Sequence, residues 1–333
     1  MRVLVTGGGG FLGLALVRRL IDMGAEVRTF QRGNYAQLEA WGVEQVRGDL
    51  YRDGELLEKA LSGCDLVYHT AAKAGVWGDF EDFHRTNVGG TENLLRACLN
   101  QKVRRFVYTS SPSVTFDGRD QEGIDESAPY PKRFLAHYPA TKAEAEKLVN
   151  GYNDADLATV SLRPHLIWGP GDNHLVPRVI ERGRAGRLRL VGGDGKLVDS
   201  VFIDNCVEAH LCAAERLQPG APIGGKNYFI TNDEPVPMSR LLNGILQAGG
   251  LPEVTRRVSP TTAYAAGALL EGVYGLLGRK REPLMTRFVA AQLGTAHWFT
   301  IEAAKRDLGY QPKVTIDEGL SRLKQALSDG DWW

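Results

Sequence analysis

Two side chains four residues apart carry the clearest chemical signal in the sequence. Tyr138 and Lys142 lie in HYPATK (137–142), a YxxxK spacing that places both on one face of a helix. A phenol with a pKa of about 10 exchanges protons poorly at neutral pH unless a nearby cation favours its phenolate. Lys142 supplies such a cation. The pair therefore predicts a proton donor and acceptor.

Hydroxyl groups precede this pair in VYTSSPSV (107–114), at the end of a predicted strand. Such a group is suited to hydrogen-bond a substrate carbonyl. Adjacent residues on a strand point to opposite faces of the sheet. The sequence therefore leaves Ser110 and Ser111 as alternatives for the carbonyl-binding hydroxyl.

A glycine-rich turn, TGGGGFLG (6–13), follows the first predicted strand directly. Gly7, Gly10 and Gly13 have the spacing GxxGxxG, and Phe11 with Leu12 opens the next helix. Glycine lets the backbone approach a pyrophosphate, whose charge is then stabilised at the N-terminus of that helix. The turn predicts dinucleotide binding, against the alternative of a tight turn without a ligand.

The end of the second predicted strand favours NADP(H) over NAD. In dinucleotide folds an acidic residue at this place accepts hydrogen bonds from the ribose hydroxyls of NAD. Here Gln31 and Arg32 occupy it, so no carboxylate repels a 2′-phosphate and a guanidinium is available to bind one. A solvated surface arginine is the alternative. Asp49 and Leu50, in GDL (48–50), are expected beside the adenine.

These residues need a scaffold, and the first half of the chain supplies a clear pattern. Short β-branched runs alternate with helical stretches of 10 to 20 residues, which predicts βαβ units and a doubly wound parallel α/β sheet. Frequent prolines after Gly169 indicate a smaller, discontinuous substrate domain. We assign 1–170 to the dinucleotide-binding domain, with 198–217 returning to it, and 171–197 and 218–333 to the substrate domain.

Composition excludes several other classes. The 333 residues carry 40 basic and 40 acidic side chains, and this balance argues against nucleic-acid binding. The four cysteines form no CxxC pair and the histidines have no ligand-like spacing, so no metal site is expected. No secretory signal is recognisable at the start of the sequence and no apolar run reaches the roughly 20 residues of a membrane span. A cytoplasmic protein is expected.

Taken in order along the chain, the motifs resemble those of the extended short-chain dehydrogenase/reductase family, in particular its 3β-hydroxysteroid dehydrogenase type. The motifs are TGGGGFLG, GDL, HTAA (69–72), NVGGT (87–91), YTSS (108–111), Tyr138 with Lys142, RPHLIWGPG (163–171), FIDN (202–205) and LGYQPKVTIDEGL (308–320). The stretches AAKAGVWG, SSPSVTFDG and RPHLIWGPGD are most similar to bacterial 2-alkyl-3-oxoalkanoate reductases of long-chain olefin biosynthesis.

The resemblance implies roles for individual residues. Ser111 would polarise the carbonyl, Tyr138 would exchange the proton, and Lys142 would bind the nicotinamide ribose and lower the pKa of Tyr138. Asn87 would line the cofactor or act as a helix cap, and both interpretations stay open. The other residues expected along the cofactor are Ala71, Ala72, Thr109 and the backbone around Pro164 and His165.

The activity implied is NADPH-dependent reduction of the 3-keto group of a long-chain 2-alkyl-3-oxoalkanoic acid. A 3β-hydroxysteroid or sterol dehydrogenase is the alternative, and a nucleotide-sugar epimerase or a non-catalytic NADP-sensing protein is weaker. The expected partners are a lipid-like small molecule and a second copy, docked through helices at 87–100 and 138–150. Peripheral membrane contact and assembly with other enzymes of the same pathway stay open.

Substrate contacts are harder to place. Trp77, Trp168 and His174 are candidates for the substrate pocket, with ordinary packing as the alternative for the two tryptophans. Residues 263–278 form an almost wholly apolar run in which Glu271 is the only charge, followed by Arg279, Lys280 and Arg281. Three interpretations remain: a buried core or dimer helix, a lid over a long-chain substrate, and an interfacial membrane anchor.

Overall fold

The computed structural model describes residues 1–330. Its strands, in chain order, are β1 (Arg2–Thr6), β2 (Glu26–Gln31), β3 (Glu44–Arg47), β4 (Leu66–His69), β5 (Arg105–Thr109), β6 (Gln121–Ile124), β7 (Ala158–Pro164), β8 (Ile167–Trp168), β9 (Leu190–Val191), β10 (Leu197–Val198), β11 (Val201–Phe202), β12 (Asn227–Ile230), β13 (Val236–Pro237), β14 (Arg257–Val258) and β15 (His297–Phe299).

The helices are α1 (Phe11–Asp22), α2 (Ala36–Ala40), α3 (Gly54–Leu61), α4 (Phe80–His84), α5 (Gly90–Asn100), α6 (His137–Gly151), α7 (Leu175–Arg184), α8 (Ile203–Arg216), α9 (Met238–Ala248), α10 (Pro260–Leu276), α11 (Arg287–Gly294) and α12 (Ile316–Asp329). A 3₁₀ turn covers Pro112–Thr115, and π-helical turns cover Arg85–Gly89 and Ala304–Leu308. Within residues 1–330 no helix is long and apolar enough to cross a membrane.

The main sheet has seven strands in the order β12-β7-β5-β4-β1-β2-β3, and every neighbouring pair is parallel. The predicted doubly wound α/β fold is confirmed. The strand order reverses at β1: β2 and β3 are added on one side of it, and the chain then returns to place β4 on its other side. Such a reversal leaves a crevice at the carboxyl ends of the strands, where ligands bind in this class of fold.

Both faces of the sheet are covered by helices. Successive side chains of a strand point to opposite faces, so Val3 and Val5 of β1 belong to one apolar cluster and Leu4 to another. Helices α1 and α8 pack on the first face, and α3, α5 and α6 lie on the second. Burial on both sides explains the continuously apolar strands.

Each half of the chain contributes a strand to the sheet that is formed mainly by the other half. β6 belongs to a four-stranded sheet with β13, β10 and β15, whereas β12 forms an edge of the main sheet. The assignment of 227–230 to the substrate domain is therefore wrong, because these residues pair with β7. Helix α8 packs against α1 and β5, while β11 before it pairs with β8 outside the main sheet. The division into two domains otherwise stays a prediction.

Helix α10 corresponds to most of the apolar run at 263–278. Only Ala263 and Gly267 within it are buried, and it packs mainly against α11. The interpretation as a buried core helix is therefore wrong. An apolar sequence does not reveal which faces of a helix find a neighbour.

Candidate active site

A cavity of about 560 Å³ opens at the carboxyl ends of the central strands. Its walls come from the turn after β1, the ends of β2 and β5, the loop after β4 and the first turns of α6. The sequence-predicted residues that line it are Gly7, Gly10, Phe11, Leu12, Gly13, Gln31, Arg32, Asp49, Leu50, Ala71, Ala72, Thr109, Ser111, Tyr138, Lys142, Pro164 and His174.

The glycine turn between β1 and α1 brings the backbone into close contact with itself and with the loop after β4. Gly7 has a φ of +68°, and a Cβ there would lie 3.0 Å from the backbone of Ala71. A Cβ at Gly13 would lie 2.2 Å from the carbonyl oxygen of Gly7. The Gly10 N–H donates to that oxygen at 2.8 Å, and α1 begins at Gly10 without a side-chain cap. This backbone cradle suits a phosphate group.

The end of β2 presents an amide and a guanidinium, with no carboxylate. Gln31 is buried, its Nε2 donates to Gln45 at 3.2 Å, and its Oε1 is buried without a partner among the described residues. Arg32 is exposed, and its carbonyl oxygen accepts a hydrogen bond from Arg47 Nε at 3.0 Å. The wall at β2 therefore offers one unsatisfied acceptor and one cation.

Sequence reasoning missed Tyr35, which also lines this end of the cavity. A Cβ at Gly9 would lie 2.2 Å from the Tyr35 ring, so the aromatic ring covers the glycine turn. No motif marked this tyrosine, because it lies in the irregular segment between β2 and α2. Opposite it, Asp49 accepts the Tyr51 N–H at 2.9 Å and its own N–H donates to Asp53 at 2.7 Å, which fixes the turn after β3.

A buried histidine ties the loop after β4 to the glycine turn. His69 Nδ1 lies 2.6 Å from the Thr6 hydroxyl, and His69 Nε2 lies 2.9 Å from the Thr91 hydroxyl. Because Thr91 donates its own proton to the Asn87 carbonyl oxygen at 2.6 Å, His69 Nε2 must donate and Nδ1 must accept. Burial first, and the Lys142 charge second, lower the pKa of His69 to about 3. The ring therefore stays neutral, and Thr6 in turn accepts the Ala71 N–H at 3.3 Å.

Tyr138 and Ser111 meet in the cavity wall. Burial raises the pKa of the Tyr138 phenol, while its hydrogen bond to the Ser111 hydroxyl acts in the opposite direction. Ser111 Oγ also lies 2.9 Å from Ser113 Oγ. Ser110 lines the same cavity, but its Oγ is buried without a partner among the described residues. The geometry thus places Ser111, rather than Ser110, beside the phenol.

Lys142 lies deep in the wall, 2% exposed. Its Nζ donates to the Thr109 carbonyl oxygen at 2.6 Å and lies 4.1 Å from the centre of the Tyr108 ring. Burial lowers the pKa of Lys142 to about 7, and the charge of Glu146 opposes this shift. A lysine held in this way changes its protonation near neutral pH.

An ion pair lies one helical turn beyond Lys142. Arg163 donates to Glu146 through Nε at 2.9 Å and Nη2 at 2.6 Å, and both side chains are almost fully buried. The Tyr130 hydroxyl adds a third hydrogen bond to Glu146 at 2.7 Å. This cluster fixes the face of α6 that carries Tyr138 and Lys142.

Two of the expected cofactor contacts lie behind the cavity wall. Asn87 is buried, accepts the Lys73 N–H at 2.7 Å and donates to Thr141 at 3.0 Å, so it joins the loop after β4 to α6. It does not serve as the alternative helix cap either, because it lies inside the π-helical turn before α5. His165 is buried against His297, with 2.7 Å between His165 Nε2 and His297 Nδ1. Neither side chain is part of the cavity lining.

The two tryptophans proposed as substrate contacts are not part of the cavity lining. Trp168 is fully buried and its Nε1 donates to Ser200 at 3.1 Å, so it is a core side chain. Trp77 lies on the loop that lines the cavity, but its Nε1 donates to the Arg279 carbonyl oxygen at 2.9 Å. Trp168 therefore takes the packing role that the sequence left open as the alternative, and a substrate contact by Trp77 stays a prediction.

Leu166 and Asp172, which sequence reasoning missed, line the cavity near His174. Leu166 has a φ of +41°, a strained value for a side chain with a Cβ. Asp172 is buried and accepts the backbone N–H groups of His174 and Val176, both at 2.7 Å, at the start of α7. Burial raises the pKa of Asp172 despite these bonds. Asp172 lies three residues before α7, and an aspartate this close to a helix start is a recognisable signal because its carboxylate can accept the free N–H groups of the first turn.

The cavity fits a nicotinamide dinucleotide on three observations. The glycine cradle suits a pyrophosphate, and the unsatisfied Gln31 Oε1 lies where an adenosine ribose would lie in this fold. The unsatisfied Ser110 Oγ belongs to the same lining, which also includes Tyr138 and Lys142. Buried polar atoms without a partner are rare in folded proteins and point to a ligand.

A family model described as 3-beta hydroxysteroid dehydrogenase/isomerase matches residues 4–258. The chain belongs to this family. It is 53% identical over 331 residues to a 2-alkyl-3-oxoalkanoate reductase of Shewanella oneidensis, covering 97% of this chain and 85% of the relative. A protein of the same name from Stenotrophomonas maltophilia is 51% identical over 97% of this chain and 98% of its own length.

More distant members of the family act on other molecules. The human sterol-4-alpha-carboxylate 3-dehydrogenase, decarboxylating, is 36% identical over 98% of this chain and 88% of its own length. Among solved structures, the UDP-glucuronic acid 4-epimerase of Bacillus cereus, in complex with NAD, superposes with a TM-score of 0.77. It covers 99% of both chains at 22% identity, so the likeness concerns the fold alone.

Proposed function

We propose that this family member is an NADPH-dependent reductase of the 3-keto group of long-chain 2-alkyl-3-oxoalkanoic acids. The observation that carries the proposal is the meeting of Ser111, Tyr138 and Lys142 in one cavity, in a chain 53% and 51% identical to two reductases of that name. The reaction consumes the 3-oxo acid, NADPH and a proton and yields the 3-hydroxy acid and NADP⁺.

The cofactor supplies the hydride, and residues of this chain hold and move the proton. Tyr138, protonated at neutral pH because burial raises its pKa, donates its phenolic proton to the carbonyl oxygen. Ser111 hydrogen-bonds the same oxygen and keeps the phenol in line. Lys142 binds the nicotinamide ribose, and its charge stabilises the phenolate left on Tyr138.

Specificity for the 2′-phosphate is proposed to reside at the end of β2. Arg32 is exposed there and no carboxylate accompanies it, so a phosphate meets a cation without repulsion. Gln31 offers its unsatisfied Oε1 to the neighbouring ribose hydroxyl. The replacement Gln31→Asp together with Arg32→Ala should shift the preference towards NADH, and Kd values for both cofactors measure that shift.

The substrates named for the relatives share one chemical unit. A 2-alkyl-3-oxoalkanoate and a sterol 4-carboxylate with an oxygen at C3 both carry a carboxylate on the carbon next to the reacting one. We assign recognition of this carboxylate to His174, since the other cation-capable side chains of the lining, Arg32 and Lys142, have the roles given above.

The same shared unit supports a second candidate, a 3β-hydroxysteroid or sterol dehydrogenase, at 36% identity to the human protein. A turnover screen with NADPH separates the two. It compares long-chain 2-alkyl-3-oxo acids, 3-ketosteroids with and without a 4-carboxylate, and UDP-sugars. Preference for the alkyl acids supports the proposal, and preference for a steroid or a sugar overturns it.

A variant test addresses the proposed chemistry directly. Tyr138→Phe should bind NADPH with unchanged affinity and lose roughly 10²-fold or more in turnover, the usual effect of removing a general acid. His174→Phe should raise KM for the acid while leaving turnover of a neutral ketone of equal length unchanged. Near-normal turnover by Tyr138→Phe would show that the proton comes from another group.

A further inference from the structure

Helix α10 packs through its only charged side chain and a narrow stripe of small residues. Ala263 and Gly267 are its buried positions, and a Cβ at Gly267 would lie 2.6 Å from the backbone of Thr286. Glu271 accepts hydrogen bonds from Arg287 through the backbone N–H at 2.7 Å and Nε at 2.6 Å. The polar face of this helix therefore points toward the protein.

The outer face of α10, which we define as Ala265, Leu269, Gly272, Val273 and Leu276, carries no polar side chain. Leu269 is 69% exposed and Leu276 is 92% exposed, and Leu277 directly after the helix is 61% exposed. A surface helix in water has its apolar stripe inward and its polar residues outward. The second half of α10 has the reverse order, with Glu271 turned inward and Leu269, Val273 and Leu276 exposed. Exposed apolar patches of this kind mark interaction surfaces.

A basic segment, Arg279 to Arg281, continues from the apolar face. All three of its side chains are exposed, and none takes part in a salt bridge described within residues 1–330. The neighbouring acidic side chains already have partners. Glu282 pairs with Arg178 at 3.5 Å, and Asp82 pairs with Lys73 at 3.0 Å. The charge of Lys280 contributes only a small part of the lowered pKa of Asp82. The surface therefore combines exposed leucines with uncompensated positive charge.

This charge decides which partner fits. In a symmetric dimer the same patch meets itself, so a second copy would bring three more cations, while the described acids beside the patch, Glu282 and Asp82, are already paired. An anionic lipid surface offers both missing partners, acyl chains for the leucines and phosphates for the basic segment. We infer that the outer face of α10 and the basic segment dock on an anionic lipid surface, with the helix lying in the plane of the headgroups.

Docking in this orientation places the lipid next to the active-site cavity. The Trp77 ring stands edge-on to Tyr274, with 6.3 Å between ring centres, and Trp77 hydrogen-bonds the Arg279 carbonyl oxygen. Trp77 follows Ala72 and Ala74, which line the cavity. This step rests on the proposed function: a long-chain substrate would reach the cavity from the lipid without crossing water. The docking itself does not depend on the substrate.

Sedimentation of the full-length protein with vesicles tests the inference. The two probes are pure phosphatidylcholine vesicles and vesicles that contain phosphatidylglycerol, each at low and high salt. We expect binding to the anionic vesicles that weakens as salt rises. Absence of binding to the anionic vesicles, or equal binding to both kinds, would overturn the inference.

Matched variants locate the contact. Leu269→Gln with Leu276→Gln should weaken anionic-vesicle binding about tenfold or more, and Met23→Gln, which changes a 51% exposed side chain directly after α1, should not. Lys280→Ser with Arg281→Ser should weaken it about fivefold per charge, and Arg184→Ser with Arg187→Ser, with equal charge loss, should not.

Unchanged turnover of a short-chain substrate shows that these variants are folded. Loss of dimerisation by the leucine variants, without loss of vesicle binding, would assign the face to a second copy instead.

Discussion

The glycine turn after β1 and helix α10 both contain closely spaced glycines, and the two regions use them in opposite ways. Added Cβ atoms at Gly7 and Gly13 would meet backbone atoms, whereas Gly272 and Gly275 have nothing within 4 Å of theirs. In the turn, glycine is required by a close approach of the chain to itself. In the outer part of the helix, Gly272 and Gly275 are surface residues that no packing constrains, unlike Gly267 on its buried side. Residue type alone does not separate these two cases.

The largest expected effect compares the buried ion pair beneath the active site with the exposed ion pair beside α10. Arg163→Met leaves Glu146 without its buried partner and should cost about 3–5 kcal/mol of unfolding free energy. Arg287→Met breaks the Glu271 pair beside α10, where the arginine side chain is 48% exposed. It should cost only about 0.2–1 kcal/mol. Urea denaturation measures both, and equal losses would contradict the contrast.

The next effect concerns the glycine turn. Gly13→Ala forces a Cβ against the Gly7 carbonyl oxygen, 2.2 Å away, and such overpacking costs about 1–3 kcal/mol. Because the strain lies in the cradle, the affinity for NADPH should fall about tenfold or more. Fluorescence titration with the cofactor measures this loss. If Gly13→Ala bound NADPH with wild-type affinity, the glycine turn would not be part of the cofactor site.

A third effect follows from burial of Lys142. The folded protein releases this proton near pH 7, whereas the unfolded chain keeps it up to the ordinary value of 10.5. Between these values the unfolded state binds more protons, so stability rises with pH. The unfolding free energy of the wild type, minus that of Lys142→Met, should increase by at most about 1.4 kcal/mol per pH unit above pH 7. Exposed Lys59, replaced by Met, is the control that should show no such slope.

The smallest effect is expected on α10 and has the opposite sign. Gly272→Ala adds a methyl group to an exposed helical position with nothing within 4 Å. The change should raise stability by about 0.5–1 kcal/mol, because alanine loses less backbone entropy than glycine in a helix. Thermal unfolding detects it. A loss of stability would mean that α10 is covered by another surface in solution.

The contrast between the regions also explains what the sequence could predict. Local motifs located the cradle and the Tyr138–Lys142 pair, because the spacing of these residues is set by one turn or one helix. Hydrophobicity did not predict the surroundings of Trp168 or α10, because an apolar residue does not reveal which way its side chain faces. The sequence could not choose Ser111 over Ser110, because that choice depends on the path of the chain after β5. It also could not predict Tyr35, because this residue reaches the cavity from an irregular loop. The sequence therefore predicted those parts of the site whose residues lie within one turn or one helix of each other.

The strand exchange between the two halves of the chain limits how the protein can be divided. A fragment that ends near residue 170 would lack β12 and would leave the backbone groups of β7 unpaired along one side. Exposed strand edges of this kind recruit other chains and promote aggregation. The same fragment would keep β6 without its partner β15. Separate expression of the dinucleotide-binding half is therefore expected to yield insoluble material, and limited proteolysis between β7 and β12 should leave a nicked but associated pair of fragments.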